Sequence, residues 1–413
     1  MSVFQSFFMG GYECADHINR SGARINLLQD TQHDVRAEED YKDLAAIGIT
    51  TVREGICWSA VETAPYIFDF TEVKNRMDAA ERQGVQLIWD LIHFGYPDGL
   101  YPTHPHFCNR FAALCDAFAT FYKAATKAQL FVVPVNEISF LSWHSGDVRG
   151  TVPFAVNSGW DMKYHLCKAA IIGIKVLKEL VPDCRIVCVE PLIKIHPGYE
   201  TNFEHIQNMN DHQFQAVDII GGRMCPELGG SEEYLDILGF NYYWNSQWDH
   251  GIGELPWPET EPRRATVASL LEMAYKRYHK PVFLSETGHF GIGRAPWIEE
   301  ITLECVEAIN NGVELLGMCI YPVIDRPNWD DLLEYHDCGI WDMDENKDRI
   351  PHNDSIIAIL QGQKLIEESH KQNEAFGFKN GSIAIRIIPS CNRCNTYYKL
   401  TPKMLKALNQ FTG

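Results

Sequence analysis

Strand-like apolar runs alternate with helix-like amphipathic stretches eight times between residues 7 and 369, and few folds accommodate that pattern. The runs are Phe7–Cys14, Thr50–Trp58, Val85–Phe94, residues 129–139, Cys184–Ile193, Leu235–Trp244, Pro281–Ser285 and Val313–Ile324. The spacing predicts helices over Ala37–Ile47, Val73–Gln83 (stopped by Gly84), His106–Thr126 and, after a long loop, Met162–Leu180. Further helices are predicted over Glu204–Ile220, Val267–Tyr278, Ile298–Asn310 and Ser355–Ser369. Near-continuous apolar strands separated by helices are how a buried parallel sheet reads in sequence. Eight such units predict an α/β protein: a closed (β/α)8 TIM barrel over residues 1–373 rather than an open doubly wound sheet. The first strand is followed by no glycine-rich dinucleotide fingerprint, which argues against the open alternative.

From residue 374 the character changes. Lys379, Arg386, Arg393, Lys399, Lys403 and Lys406 face only one acid, Glu374, and the pattern suggests a hairpin (Ser382–Pro389, Thr396–Leu400) with a short helix. We read 374–413 as a C-terminal extension whose basic balance complements an acidic barrel. Its lone Cys391-x-x-Cys394 has no second pair, so a metal or redox role is not inferred.

The chain carries 36 Lys and Arg against 55 Asp and Glu, a formal charge of −19. Phosphate backbones and anionic lipid surfaces demand a basic face, so neither nucleic acid nor membrane is an expected partner. No apolar run approaches the roughly 20 residues that span a bilayer. The N-terminus lacks the basic region and small-residue cleavage site of a signal peptide. The 13 cysteines are odd in number and scattered, several within apolar runs (Cys57, Cys184, Cys188, Cys319). They read as reduced, buried thiols, and the chain as cytoplasmic. A homo-oligomer is compatible with all of this.

The chemistry collects at the ends of the strand-like runs. The fourth ends in Asn136 and Glu137, and the seventh in Glu286; the second supplies Arg53 and the third His93. Asn241 and Tyr243 end the sixth, and Tyr321 through Trp329 follow the eighth. A barrel of this kind gathers such residues at its carboxyl-terminal face. A single glutamate after a strand is ordinarily a solvated strand end, a lone histidine a satisfied core residue, and Arg53-Glu54 an ion pair. Their joint occurrence at matched strand ends is not ordinary. Two facing carboxyl groups roughly 5–5.5 Å apart cleave a glycosidic bond with retention. Glu286 would be the nucleophile, held ionised by a nearby arginine and a tyrosine hydroxyl. Glu137 would be the general acid, kept protonated by the charge of Glu286. Asn136 would donate to the sugar 2-hydroxyl, and the aromatic residues would pack on the ring. No metal or cofactor is required. His104-Pro-His106 lies in a loop without a clear third ligand.

These motifs resemble the retaining glycoside hydrolases of clan A, and family 1 (β-glucosidases and β-galactosidases) most of all, over most of residues 7–352. Thr51-Val-Arg53-Glu-Gly-Ile-Cys-Trp58 resembles the family's second-strand segment, and Leu91-Ile-His93-Phe-Gly-Tyr-Pro-Asp-Gly-Leu100 its third. Asn136-Glu137 matches the acid/base motif, Ser285-Glu286-Thr287-Gly288 the nucleophile motif, and Gly239-Phe-Asn241-Tyr-Tyr243 the sixth strand. The resemblance implies that Arg53 and Tyr243 support the nucleophile. It also implies that His93, Asn136, Asn241, Tyr321, Asn328, Trp329 and His17 bind the sugar. Several positions depart from the pattern. Ile138 and Ser139 stand where the family has proline and usually an aromatic residue, and Thr287 where it has asparagine. Tyr321 replaces a tryptophan, Asn328 a glutamate, and His17 is the nearest counterpart of a glutamine. The Ser…Lys…Tyr pattern of relatives that bind phosphorylated sugars is absent after strand eight; Arg326 is the one residue there that could meet an anionic sugar, with a surface salt bridge as its expected role. The resemblance implies an exo-acting retaining β-glycosidase on small glycosides or oligosaccharides. A transglycosylase using the same intermediate and a non-catalytic glycan-binding barrel are the competing readings.

Overall fold

The computed structural model describes residues 3–257 and 261–375. Eight parallel strands close into a barrel: β1 (Phe8–Gly11), β2 (Thr51–Gly55), β3 (Gln86–Asp90), β4 (Phe131–Val133), β5 (Arg185–Pro191), β6 (Ile237–Asn241), β7 (Val282–Thr287) and β8 (Leu315–Ile320). Their order around the barrel is their order in the chain, with β1 paired to both β2 and β8. Besides the one-turn helices Leu27–Asp30 and Trp58–Val61, the helices outside it are α1 (His33–Ala46), α2 (Thr71–Gln83), α3 (Phe107–Ala125), α4 (Ile138–Gly146), α5 (Gly159–Leu180), α6 (Phe203–Asp211), α7 (Gln215–Ile220), α8 (Val267–Tyr278), α9 (Arg294–Asn310) and α10 (Asn353–Ala375). The predicted (β/α)8 barrel is what forms.

Alternation along each strand sorts residues between two cores. Met9, Ile88, Phe131, Val133, Val187, Val189, Ile237, Phe283 and Cys319 pack together inside the barrel. Phe4, ahead of the first strand, joins them, its ring 5.4 Å from those of Phe131 and Phe283. The intervening residues, among them Val52, Trp89, Val132, Ile186, Leu238 and Leu284, pack outward with the helices. Arg53 and Glu54 therefore point to opposite sides, which leaves no ion pair between them as the ordinary alternative for Arg53. Glu54 instead joins His33, Tyr41 and Arg76 in the buried layer behind the barrel.

Two helical segments differ from expectation. The segment Glu204–Ile220 is broken by a 3-10 turn, His212–Phe214, because two polar side chains turn inward there. Asn210 bonds the backbone of Ile195, and Gln213 accepts from the amide of Ile193. The long loop after Glu137 contains α4. Its sequence lacks a polar face because most of it is buried, and Ser145 satisfies its hydroxyl on the carbonyl of Leu141. Cys57, Cys184, Cys188 and Cys319 are buried and free, as expected. Among the described residues, no helix is long and apolar enough to cross a membrane. The hairpin and basic residues expected from 379 onward, with Cys391 and Cys394, lie outside the described residues.

Candidate active site

Strict alternation from Phe283 would send Ser285 inward and Glu286 outward. Instead, the register of β7 shifts against both neighbours between Leu284 and Glu286–Thr287. Such a bulge re-aims a side chain. The Glu286 carboxyl consequently enters the barrel mouth, while Thr287 accepts from the indole of Trp297 at 2.8 Å. Both carboxyl oxygens of Glu286 are held: Oε1 accepts from Nη1 of Arg53 at 2.9 Å and Oε2 from the hydroxyl of Tyr243 at 2.8 Å. Burial, and then the charge of Glu286, push the Tyr243 phenol well above its ordinary pKa, so it remains a donor.

Arg53 is fixed by several partners besides Glu286. Nη1 also donates to the carbonyl of Ser285 at 2.8 Å, and Nη2 donates to Oδ2 of Asp90 at 2.6 Å and Oδ1 of Asn136 at 2.9 Å. Asp90, the last residue of β3, also bonds Nδ1 of His93 at 2.8 Å. The other ring nitrogen of His93 lies 3.1 Å from the hydroxyl of Tyr321. Burial opposes a charge on His93, but the carboxylate of Asp90, with Glu286 and Glu13 beyond it, outweighs burial and raises its pKa. Glu13, 5% exposed, accepts from Tyr321 at 3.3 Å and faces Nε of Arg326 at 3.2 Å. Arg326 is thus in a salt bridge, but with a buried partner rather than at the surface.

Glu137 follows β4 with its backbone locked on both sides. The amide of Asn136 donates to the carbonyl of Ile92 at 2.8 Å, and that of Glu137 to Val189 at 3.0 Å. Its φ of 46° lies in the left-handed region, which non-glycine residues seldom adopt and which recurs at functional sites. Burial, then the charge of Glu286, raise its carboxyl well above the usual range, against a lowering contact from Asn241. Asn241 in turn accepts from the Ser285 hydroxyl at 2.6 Å. The side-chain nitrogen of Asn136, Nδ2, is buried and bonds to nothing in the protein, a donor left for another molecule.

Beside these polar groups stands a cluster of rings. Trp329 lies 4.9 Å from His17 and 5.3 Å from Phe94, and Phe140 stacks on His144 at 5.2 Å. Burial lowers the pKa of His17 to about 3, so its ring is neutral. Its Nδ1 and the indole nitrogen of Trp329 are buried without protein partners. Asn328 behaves differently. Its amide donates to Glu334 at 3.0 Å and its oxygen accepts from the amide of Asp330 at 2.9 Å, both within its own loop.

The structure therefore brings Arg53, His93, Asn136, Glu137, Asn241, Tyr243, Glu286 and Tyr321 into one connected set, with the rings of His17 and Trp329 near it. Sequence reasoning missed Asp90, Glu13 and the role of Arg326. Asp90 was findable, because it shares the inward parity of Ile88 on the strand that leads to His93. Glu13 lies beyond the end of β1, where no periodicity applies. Cys14, Asp90 and His93 approach closely enough to suggest a metal site. They do not fit one. Oδ2 of Asp90 is already committed to Arg53 and His93, and burial raises the Cys14 thiol well above its ordinary pKa.

No family model matches this chain. In sequence it is similar to an aryl-phospho-β-D-glucosidase (BglH) of Bacillus subtilis, 22% identical over 357 residues, covering 70% of this chain and 75% of the relative. A 6-phospho-β-glucosidase of Clostridium longisporum is 21% identical over 359 residues, with the same coverage of 70% and 75%. In structure it is similar to a family 1 β-glucosidase of Thermotoga maritima, with a TM-score of 0.69 at 15% identity, covering 88% of this chain and 98% of the other. A β-glucosidase of Thermotoga maritima in complex with deoxynojirimycin gives 0.68 at 17% identity, covering 88% and 99%. The structural likeness establishes the (β/α)8 barrel, and the sequence relatives make this protein a glycoside hydrolase. Within that class the resemblance to family 1 agrees with these relatives and structural neighbours.

Proposed function

We propose that the chain is a retaining exo-β-glycosidase acting on small, uncharged glycosides. The observation that carries this reading is the unequal treatment of two neighbouring acids. Glu286 has a donor on each carboxyl oxygen, from Arg53 and Tyr243, whereas burial and the charge of Glu286 favour a proton on Glu137. One acid is arranged to attack and the other to donate.

In the first step an oxygen of Glu286 bonds the anomeric carbon as the glycosidic bond breaks, and the Glu137 proton passes to the leaving oxygen. Glu286 loses its charge on forming the ester, which lowers the proton affinity of Glu137. Glu137 then takes a proton from water as that water attacks, and Glu286 leaves with its electron pair. The unpaired amide of Asn136 supports a role in holding the sugar 2-hydroxyl. The buried, unpartnered nitrogens of His17 and Trp329 are suited to outer hydroxyls. The rings of Phe94, Phe140 and Trp329, packed together next to His93, offer apolar faces to a sugar ring. Asp331, Glu334 and Asp337 in the loop after β8 favour an uncharged over an anionic sugar, Asp330 being paired with Arg20.

Glu286→Gln should reduce turnover of an aryl β-glucoside by at least about a thousandfold. Glu137→Ala should keep activity only toward good leaving groups and be rescued by azide, giving a β-glycosyl azide. Normal turnover in the Glu286 variant, or an α-linked azide product, would remove the reading.

A further inference from the structure

Glu137 occupies the N-cap position of α4 yet makes no capping hydrogen bond with its side chain. An acid/base residue cannot both cap a helix and face a substrate. The exposed amides of the first turn nevertheless need acceptors. One finds it on Glu190 of β5, both of whose carboxyl oxygens lie 3.2 Å from the backbone nitrogen of Ser139. Glu190 is 2% exposed, and by strand parity it points outward from the barrel, away from the mouth and toward α4 and α5. Val189, the residue before it, accepts the amide of Glu137 itself. Two successive residues of β5 thus grip the backbone at the acid and just beyond it.

We propose that Glu190 is a positioning residue: it caps α4 in place of Glu137, fixes that residue's left-handed backbone, and so aims its carboxyl at the mouth. This rests on the reading of Glu137 as the acid/base. The groups facing Glu190 are Lys163 and Cys167 from α5, Cys188 from its own strand and Glu137. Burial raises its own pKa to about 7, so in alkaline solution it carries a charge, and that charge adds to the proton affinity of Glu137.

The test is the pH dependence of kcat/KM for Glu190→Gln and Glu190→Asp, on aryl β-glucosides with good and poor leaving groups, with Glu137→Ala as reference. In Glu190→Gln the alkaline limb should move down by about one pH unit, because a negative neighbour is gone. Glu190→Asp keeps the charge but shortens the reach, so its limb should stay while poor leaving groups become roughly tenfold worse relative to good ones. If both variants match the wild type in limb and in leaving-group dependence while Glu137→Ala is rescued by azide, the positioning role alone fails. If Glu137→Ala itself shows no leaving-group dependence, the acid/base reading fails and takes this role with it. Should Glu190→Gln not fold, the aspartate variant decides through its leaving-group ratio.

Discussion

Nη1 of Arg53 reaches Oε1 of Glu286 at 2.9 Å across the barrel mouth, 233 residues away in sequence. The guanidinium-bearing residue is 1% exposed, and the same nitrogen grips the carbonyl of Ser285. A single side chain from β2 therefore fixes both the acid and the backbone that carries it. Its other terminal nitrogen is occupied by Asp90 and Asn136, so Arg53 cannot swing away without leaving buried charges unpaired.

The other oxygen of Glu286 depends on Tyr243. Tyr243→Phe deletes that donor and little else. A hydrogen bond to a charged group contributes about 1.5–3 kcal/mol, so kcat should fall roughly ten- to a hundredfold. Steady-state kinetics on an aryl glucoside, with a thermal melt to show that folding is intact, checks it. An unchanged kcat would mean that Tyr243 does not act on the reacting oxygen.

Asp90 touches no reacting atom, yet it holds Arg53 and His93 together. Asp90→Ala leaves a buried guanidinium short of a counter-charge, and removing one partner of a buried pair costs about 3–5 kcal/mol. Chemical denaturation should show that loss, with activity falling alongside. A variant as stable as the wild type would separate Asp90 from the scaffold.

Behind the barrel, His33 lies between Asp40 and Glu54, each at 2.7 Å, and Arg76 also pairs with Glu54. Burial alone would lower the pKa of His33, but the two carboxylates outweigh it and raise it. Burial likewise opposes the charge on Glu54, and His33 with Arg76 outweighs it and lowers that pKa. The histidine contribution is therefore complete below its unfolded pKa of about 6.5 and disappears as pH rises through the higher folded value. The Glu54 contribution is complete above about 4.3 and disappears as pH falls through the lower folded value. The stability gap between wild type and His33→Gln should be widest between these limits and should narrow toward alkaline pH. Urea titrations at several pH values measure it, and a gap that grew with pH would contradict the assignment.

Substrate charge offers a separate prediction. The sequence relatives include enzymes named for phosphorylated glucosides. Here the charge of Arg326 is paired with Glu13 at 3.2 Å, although its Nε makes no hydrogen bond within the protein, and the loop that follows is acidic. An aryl β-glucoside should therefore surpass its 6-phosphate in kcat/KM by at least about tenfold, since like charges repel in a partly buried mouth. Faster hydrolysis of the phosphate would reverse the proposed substrate class.

The linear order of residues was enough for the barrel, because eight apolar runs separated by amphipathic stretches have few other ways to bury themselves. It also put the two candidate acids at strand ends, since short apolar strands that stop at Asn136-Glu137 and Ser285-Glu286 are a local signal. Helix α4 was hidden because burial removed the polar face that periodicity needs. The aim of the side chains came from barrel closure instead. Parity in β2 sends Arg53 inward and Glu54 outward, but parity in β7 would have turned Glu286 away from the mouth, and a bulge reverses it. A bulge reflects how three neighbouring strands settle their hydrogen bonds, and the residues of one strand do not encode it. The partnership of Glu13 with Arg326 and of Glu190 with the first turn of α4 has the same origin. Each joins segments far apart in the chain, which meet only once the eight strands have closed on one another.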